Sequence, residues 1–368
     1  MAGNYELWLA DDQGNRKLLV DDFLSVTASK VDGDRGMISV VLKGNFDDSL
    51  LNKDWQWHLW RGPAGGTLSL FDAYLIRRPK YQTVGSEETI VVKGYDGKDI
   101  LGRRIVAYAA GTDEAAKTDA SDDMMKEIVE ENLGATAGGD RDMSTLFTIQ
   151  ADVSAGPTLT KQFAWRNVLD VLQDLQEASR AEGTEVFFDV VPIPSTTTLS
   201  WDFRTATGQP GADLTSGANQ VVFDQYRGNM RDPSYIQDWT DEKNYIYGLG
   251  QGEGEDREQQ EVEDTTSSTA SFWARAEGYA DARLEEDADG VREEARAMLE
   301  LKRSRIYFSS QPVDTRGTRF GVAWNWGDRV IARYRELEFE AIIKAVQLDI
   351  APNSGERVSV RLEYEAPV

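Results

Sequence analysis

The sequence predicts a mainly β fold with an α+β module: two small β domains at the chain ends, each a barrel or sandwich, separated by a mixed helix and strand region. Three observations carry this. Residues 5–96 are short runs rich in aromatic and β-branched residues, punctuated by turn formers. Residues 118–183 change to an apolar period of about 3.6. From residue 306 the chain returns to strand-like runs.

The first domain is expected over 1–107. Its candidate strands are YELWLAD (5–11), KLLVDDFLSVTAS (17–29), GMISVVLKG (36–44), DWQWHLWRG (54–62), TLSLFDAYLI (67–76) and ETIVVKGYD (88–96). DDQGN, DGDRG, GPAGG and TVGSEE separate them as turns. Trp55, Trp57 and Leu59 share one face of a strand, and Trp60 joins them in the same segment. Core packing accounts for this crowding better than sugar stacking does, because aromatics dominate β cores.

Residues 108–204 form the α+β module. In its first helix Met124, Met125, Ile128, Val129 and Leu133 make one stripe, and Gly134 ends it. In the second, Trp165, Val168, Leu169, Leu172 and Leu175 recur at helical spacing, and Gly183 sits where a left-handed cap belongs. TEVFFDVVPI and TTTLSWDFRT then read as a hairpin across Pro194-Ser195. Residues 205–243 are a connecting segment with mixed signal. A hairpin and helix region is expected over 244–305, its helix placing Leu284, Val291, Ala295 and Met298 one way with Leu299 beside them. The last β domain, 306–368, holds IYFSS, FGVAW, DRVIARY, EFEAIIKAVQLDI and RVSVRLEYE, with a Pro-Asn-Ser-Gly turn at 352–355 before the final strand. No residue-level repeat links the two ends.

Composition narrows the chemistry. The absence of cysteine excludes disulfides, zinc thiolates and a cysteine nucleophile. The polar start and the lack of any long apolar run argue against a signal peptide and a membrane anchor. The sole histidine, His58, lies in a strand with one side expected to be exposed, so no other histidine can serve a Ser-His-Asp triad. Acid pairs such as Asp21-Asp22, Asp47-Asp48 and Asp122-Asp123 arise by chance among 64 acids, and adjacent strand residues point to opposite faces. The acidic turns are too short for a twelve-residue calcium loop, although a carboxylate calcium site stays open. No cofactor is expected. The net charge of −24 is the reverse of what a nucleic-acid binder needs; it suits first a solubilising acidic surface and, more sharply, a surface that repels a polyanion.

The stretch NYIYGLGQGEGEDREQQEVED (244–264) places glycine at 248, 250, 252 and 254 and then crowds seven acids around one arginine. A dinucleotide fingerprint fails on spacing and on charge. A flexible linker stays open, but Tyr245, Tyr247 and Leu249 alternate as a strand does, GQGEGE supplies turn residues, and DREQQEVED returns as a polar strand, which favours a hairpin. Glu253, Glu255, Asp256, Glu258, Glu261 and Glu263 are the candidate site residues. They are acids lining a lumen, facing a partner, or lying on a solvated outer face.

Read as a hairpin, this region resembles the tail-tip, or baseplate hub, proteins of long-tailed phages. The matching residues are NYIYGLGQGEG, then GYADAR (278–283), VREEARAMLELK and WNWGDRV (324–330), with Ala280 standing where valine is usual. GYDGKDILGRRIV (94–106) looks like the end of a first hub barrel, and RGNM (227–230) resembles a segment before the second. The resemblance implies a structural virion protein and not an enzyme: two small β-barrel hub domains per subunit, and a homotrimer presenting six barrels to a six-fold tail tube. It implies a place at the virion tail tip, after assembly in the host bacterial cytoplasm. The partners it implies are a distal tail protein, a tape measure protein and a tail fibre or receptor-binding protein, with genomic DNA passing at ejection. Two rival readings are a carbohydrate-binding β protein or glycosidase, which the tryptophans favour, and the hub of a contractile injection or secretion apparatus.

Overall fold

The computed structural model describes residues 4–364 apart from 64, 65, 109, 110, 113, 197, 286, 314, 316, 353 and 354, together with their side chains except those of Val84 and Glu255. Parts of the expected turns at 62–66 and 352–355 therefore lie outside the described residues. The N-terminal strands are β1 (Asn4–Ala10), β2 (Arg16–Leu19), β3 (Phe23–Val31), β4 (Met37–Lys43), β5 (Gln56–Gly62), β6 (Ser69–Val84) and β7 (Glu87–Tyr95), followed by the short α1 (Lys98–Leu101). Each falls on an expected apolar run, and the run at 17–29 divides where Asp21 and Asp22 interrupt it.

The middle module comprises β8 (Ala115–Ala120), α2 (Ser121–Leu133), β9 (Phe147–Ile149), β10 (Thr158–Phe163), α3 (Val168–Ala181), β11 (Val186–Pro194) and β12 (Leu199–Thr207). β11 and β12 form the expected hairpin, with β9 added in parallel to β12. Met124, Ile128, Leu172, Phe188 and Trp201 are buried in one cluster that also takes in Leu75 of β6. Trp165 departs from expectation. Its φ is +55°, it is mostly exposed, and it precedes the helix. Asn167 starts α3 instead, its side chain accepting from the Leu169 amide.

The remaining elements are β13 (Val222–Asp224), β14 (Met230–Asp238), β15 (Tyr245–Leu249), β16 (Gln259–Glu263), α4 (Thr265–Ser268), β17 (Glu277–Asp281), α5 (Ala288–Lys302), β18 (Arg305–Pro312), β19 (Arg329–Tyr334), β20 (Leu337–Ala351) and β21 (Gly355–Tyr364). FGVAW is not a strand: Gly321 has a φ of +77°, which breaks an extended run, yet Phe320 and Trp324 still reach the core, 4.7 Å between ring centroids.

The fold is mainly β, as expected, but the two ends are not separate barrels. One sheet runs β14-β18-β21-β20-β3-β4-β7-β6-β5-β1-β2, with β19 beside β20 and β13 beside β19, and among the described strands no sheet closes on itself. The cause is the length of β20. One edge of β20 pairs with β19 along Leu337–Ile342 and then with β3 along Ala345–Ile350, while the other edge pairs with β21. Leu7, Trp57, Tyr74 and Ile90 from the N-terminal strands accordingly share one core with Phe308, Trp324, Ile343 and Leu362. At the joint a bulge between Ile343 and Ala345 re-aims Lys344, whose ammonium donates to Asp32 and Glu185 at 2.8 Å each.

Candidate functional site

The acidic hairpin exists where the sequence places it. β15 pairs antiparallel with β16 and parallel with β17, and α5 covers the inner face of this small sheet. Ile246, Ala280 and Ala295 are its buried centre, with Val262, Met298 and Leu299 packed around them. Leu284, expected on the helical stripe, lies before α5 and is partly exposed. The glycines have two separate uses. Cβ atoms added at Gly248 and Gly250 would each stand 2.7 Å from Val291, at its carbonyl oxygen and its Cγ2, so these glycines let α5 approach. Gly252, at φ +96°, turns the chain. Arg257 then ties the turn to its own strand, donating to the carbonyls of Gly250 and Leu249 at 3.0 and 3.1 Å.

The five candidate acids whose side chains are described do not form one surface. Glu253 and Asp256 sit exposed on the turn, and the side chain of Glu255 lies outside the described residues. Glu258 is half-buried and accepts from Gln260 at 2.7 Å. Glu261 and Glu263 are exposed, because β16 turns Gln260 and Val262 towards α5 and its odd-numbered residues away. On this outer face the Tyr245 hydroxyl donates to Glu261, and the Arg275 guanidinium lies 3.7 Å from the Tyr245 ring centroid while its Nε donates to Glu277 at 2.7 Å. The outer face is thus a tyrosine, arginine and carboxylate surface with little free positive charge.

Beside it stands a feature that sequence reasoning missed. Phe272 and Trp273 are 89% and 86% exposed, stacked edge to face with centroids 4.8 Å apart. Their loop is held firmly. The buried Asn244 donates to the Ala274 carbonyl at 2.7 Å and accepts from the Ala276 amide at 2.8 Å. Asp264 caps α4 just upstream. The signal was present in the sequence as two adjacent aromatics within the otherwise small and polar run TTSSTASFWARAEG.

Two buried ionic clusters were also missed, since their members are far apart in sequence. At the seam between the N-terminal strands and the α+β module, Asp189 of β11 receives Lys30 and Lys98 at 2.8 Å each, and Lys98 also reaches Asp96 at 2.8 Å. Asp72 lies 4.0 Å from Lys30. Three carboxylates share two ammonium groups in a dry site. Burial first, then the neighbouring acids, push Asp72 up to about 7 against the pull of Lys30, while the two lysines hold Asp189 well below the usual carboxylate range. At the second joint Lys344 and Arg180 bring Glu185 down to about 2 against burial.

These clusters brace the modules, and Arg180, Glu185 and Lys344 of the second also line a cleft with Ser304, Arg305 and Glu363. His58 is buried, contrary to the expectation of an exposed side, with Nε2 2.9 Å from Gln56 Oε1; burial, with Arg16 nearby, depresses it to about 4, so it is neutral near pH 7. Trp57 is core. Among the described residues no three His, Cys, Asp or Glu side chains converge to hold a metal.

The family model described as Siphovirus ReqiPepy6 Gp37-like protein matches residues 5–362 of this chain. Among solved structures, the tail protein from Neisseria meningitidis MC58 is similar over 98% of this chain and 97% of that one, at 12% identity and a TM-score of 0.60. The 43 kDa tail protein of prophage MuSo2 from Shewanella oneidensis is similar over 97% of both chains, at 10% identity and a TM-score of 0.59. The prophage tail protein gp18 from Listeria monocytogenes EGD-e is similar over 99% of this chain and 95% of that one, at 13% identity and a TM-score of 0.51. At these identities the likeness is one of fold. No curated protein matches the chain.

Proposed function

This chain belongs to the siphovirus ReqiPepy6 Gp37-like family of tail proteins, and on that premise we propose that it is a non-enzymatic structural hub subunit at the virion tail tip. In this reading three copies close into a ring. Each contributes its N-terminal and C-terminal β lobes, so that six lobes meet a six-fold tail tube. The ring closes or extends the tube, contacts a distal tail protein and the tape measure protein, and carries a tail fibre or receptor-binding protein. DNA passes it at ejection without specific binding. The observation that carries the reading is the β3–β20 ladder, which makes the two lobes one rigid body with a shared core and leaves β2 and β14 as the open ends of the sheet path. Open sheet ends in a structural protein are natural places for neighbouring subunits. The charge supports the same reading, since carboxylates on a DNA path repel phosphate where lysines would hold it.

Native mass spectrometry of the purified chain at high concentration, with cryo-electron microscopy of the particle, tests this. A trimer on the tail axis is expected. A stable two-fold dimer, or a location away from the tip, refutes it.

A further inference from the structure

We propose that residues 239–304 are a proton-latched flap, which swings on the β14–β18 stem and is held against the α+β module by a dock rich in carboxylates. The inference does not depend on the tail-tip reading. Topology supplies the hinge. The unit leaves the sheet after β14 and returns into β18, where Asp238 lies opposite Arg305, and just beyond that pair the Lys243 amide donates to the Lys302 carbonyl at 2.9 Å. Entry and exit are thus one point. The unit also carries its own core, Ile246, Ala280 and Ala295 with Val262, Met298 and Leu299 around them, so it can move as a body.

Little apolar surface holds it down. Among the described residues, Ala297 of α5 is the one side chain that the unit places in the core of the α+β module, and it places none in the core of the β lobes. The rest of the dock is polar. Glu294 of α5 reaches Lys161 of β10 at 2.8 Å, Glu293 accepts from the Thr160 amide at 3.4 Å, and Arg296 donates to Glu182, just past α3, at 2.7 Å. Small apolar burial with partly solvated charge pairs makes a docking weak enough to switch.

Glu285 is the latch. It is buried just before α5. The charges that face it are Lys161 from β10, Glu293 and Glu294 from α5, and Glu114 from the segment before β8. Around this group, Arg166 holds Asp174 of α3, Lys117 of β8 turns to Glu127 and Glu131 of α2, Asp287 caps the Gly290 amide, and Asp289 pairs with Arg292. Four carboxylates thus gather round one lysine. Burial first, then Glu294, Glu293 and Glu114, push Glu285 up to about 7 against the pull of Lys161. Burial raises Glu293 and Asp174 as well. A carboxyl that holds its proton more tightly docked than undocked favours the docked state at low pH, and that contribution is lost as pH rises from about 4.5 to about 7. Docking therefore loosens with rising pH, and the acidic hairpin and the Phe272–Trp273 loop travel with the flap.

The cysteine-free chain allows a direct test. Ala297→Cys puts a single thiol under the flap, and Ser271→Cys, in a second full-length chain, puts one on its exposed loop. The ratio of their methanethiosulfonate labelling rates reports undocking, with the pH dependence of the reagent divided out. Between about pH 5.5 and about pH 8, at constant ionic strength, the ratio is expected to rise about 10-fold, less than the full shift of Glu285 would give because solvent reaches part of the cluster. Glu285→Gln, which keeps the latch neutral, is expected to hold the ratio at its low-pH value throughout. In the parent chain, amide exchange of residues 158–163, corrected for its intrinsic rate, is expected to quicken over the same range while β15 to β17 stay protected, so the test stands even if the Ala297→Cys chain folds poorly. A ratio or an exchange rate at 158–163 that ignores pH overturns the latch, and so does a rise that Glu285→Gln leaves intact. Loss of protection in β15 to β17 alongside the rise overturns it in favour of unfolding of the unit.

Discussion

Replacing Arg61 with methionine should destabilise the entire β body by about 3–5 kcal/mol, the cost of stranding a buried partner charge. Arg61 leaves β5 and crosses to the C-terminal lobe. Its Nε donates to Glu356 Oε2 at 2.8 Å, one terminal nitrogen donates to Glu356 Oε1 at 2.7 Å, and the other donates to the Phe320 carbonyl at 3.1 Å. The guanidinium also stands 4.4 Å from the Phe320 ring centroid. The two side chains are only 6% and 7% exposed, so solvent screens the pair little. Methionine keeps most of the stem and removes the charge, which leaves Glu356 dry and unpaired. The double replacement Arg61→Met with Glu356→Leu removes both charges and should recover most of the loss, because an apolar pair of similar volume is close to neutral in such a site.

The assay is chemical denaturation followed by tryptophan fluorescence and far-ultraviolet circular dichroism. Because the two lobes share a core, both probes should report one transition for the β body. A loss below ~1 kcal/mol for Arg61→Met would refute the argument that this pair spans a dry joint. So would a double variant no better than the single one.

Three further outcomes are expected. Asp72 binds its proton more tightly folded than unfolded, being pushed up to about 7, so it favours the folded state at low pH and that contribution is lost as pH rises from about 4 to about 7; Asp72→Asn, facing Lys30, Asp96, Lys98 and Asp189, should therefore match the parent near pH 4 and exceed it in thermal stability by pH 8, and an unchanged pH profile would contradict this. Gly248→Val should loosen β15 to β17 from α5, read as faster amide exchange in that unit alone, since a Cβ there meets the Val291 carbonyl oxygen at 2.7 Å; protection equal to the parent would disprove the packing argument. Lysine at Glu253, Asp256, Glu261 and Glu263 should give particles that adsorb normally but release DNA slowly, with the defect easing as salt rises, if these acids line the DNA path; unchanged kinetics would place them on an outer face, and failed assembly at a subunit contact.

What the sequence made legible was what near neighbours decide. The α2 stripe of Met124, Met125, Ile128, Val129 and Leu133 is buried throughout, because a 3.6-residue period is a property of the segment itself. The hairpin of β11 and β12 followed from two β-branched runs around a proline turn. What stayed hidden depends on partners far away. Nothing near residue 345 announces that it will lie opposite Val31, and the Lys344 bulge that braces this joint looks like any lysine in a strand. The seam of Lys30, Asp72, Asp96, Lys98 and Asp189 was hidden differently: among so many acids, those few that end up dry carry no mark. Trp165 shows the limit of periodicity. It keeps helical spacing with Val168 and Leu172, yet the Asn167 cap places it outside the helix and in water.

The alternating glycines show why a correct element can still be read for an incomplete reason. Gly-x-Gly before an acidic run reads as turn material, and for Gly252 that holds. Gly248, however, lies within β15, and Gly250 follows it on the face that Ile246 presents to α5. There the absence of a side chain is itself a packing device, since the α5 backbone at Val291 occupies the space a Cβ would take. Val291 and Ala295, on the helix, and Ala280, on β17, complete a layer of small and branched side chains that brings helix and sheet close together. The close approach fixes the sheet's inner face, and strand alternation then leaves Glu261 and Glu263 no direction but outward. The exposure of those acids is thus a consequence of the glycines that precede them, and a bulky residue at Gly248 should disturb the acidic face from behind without touching a charge.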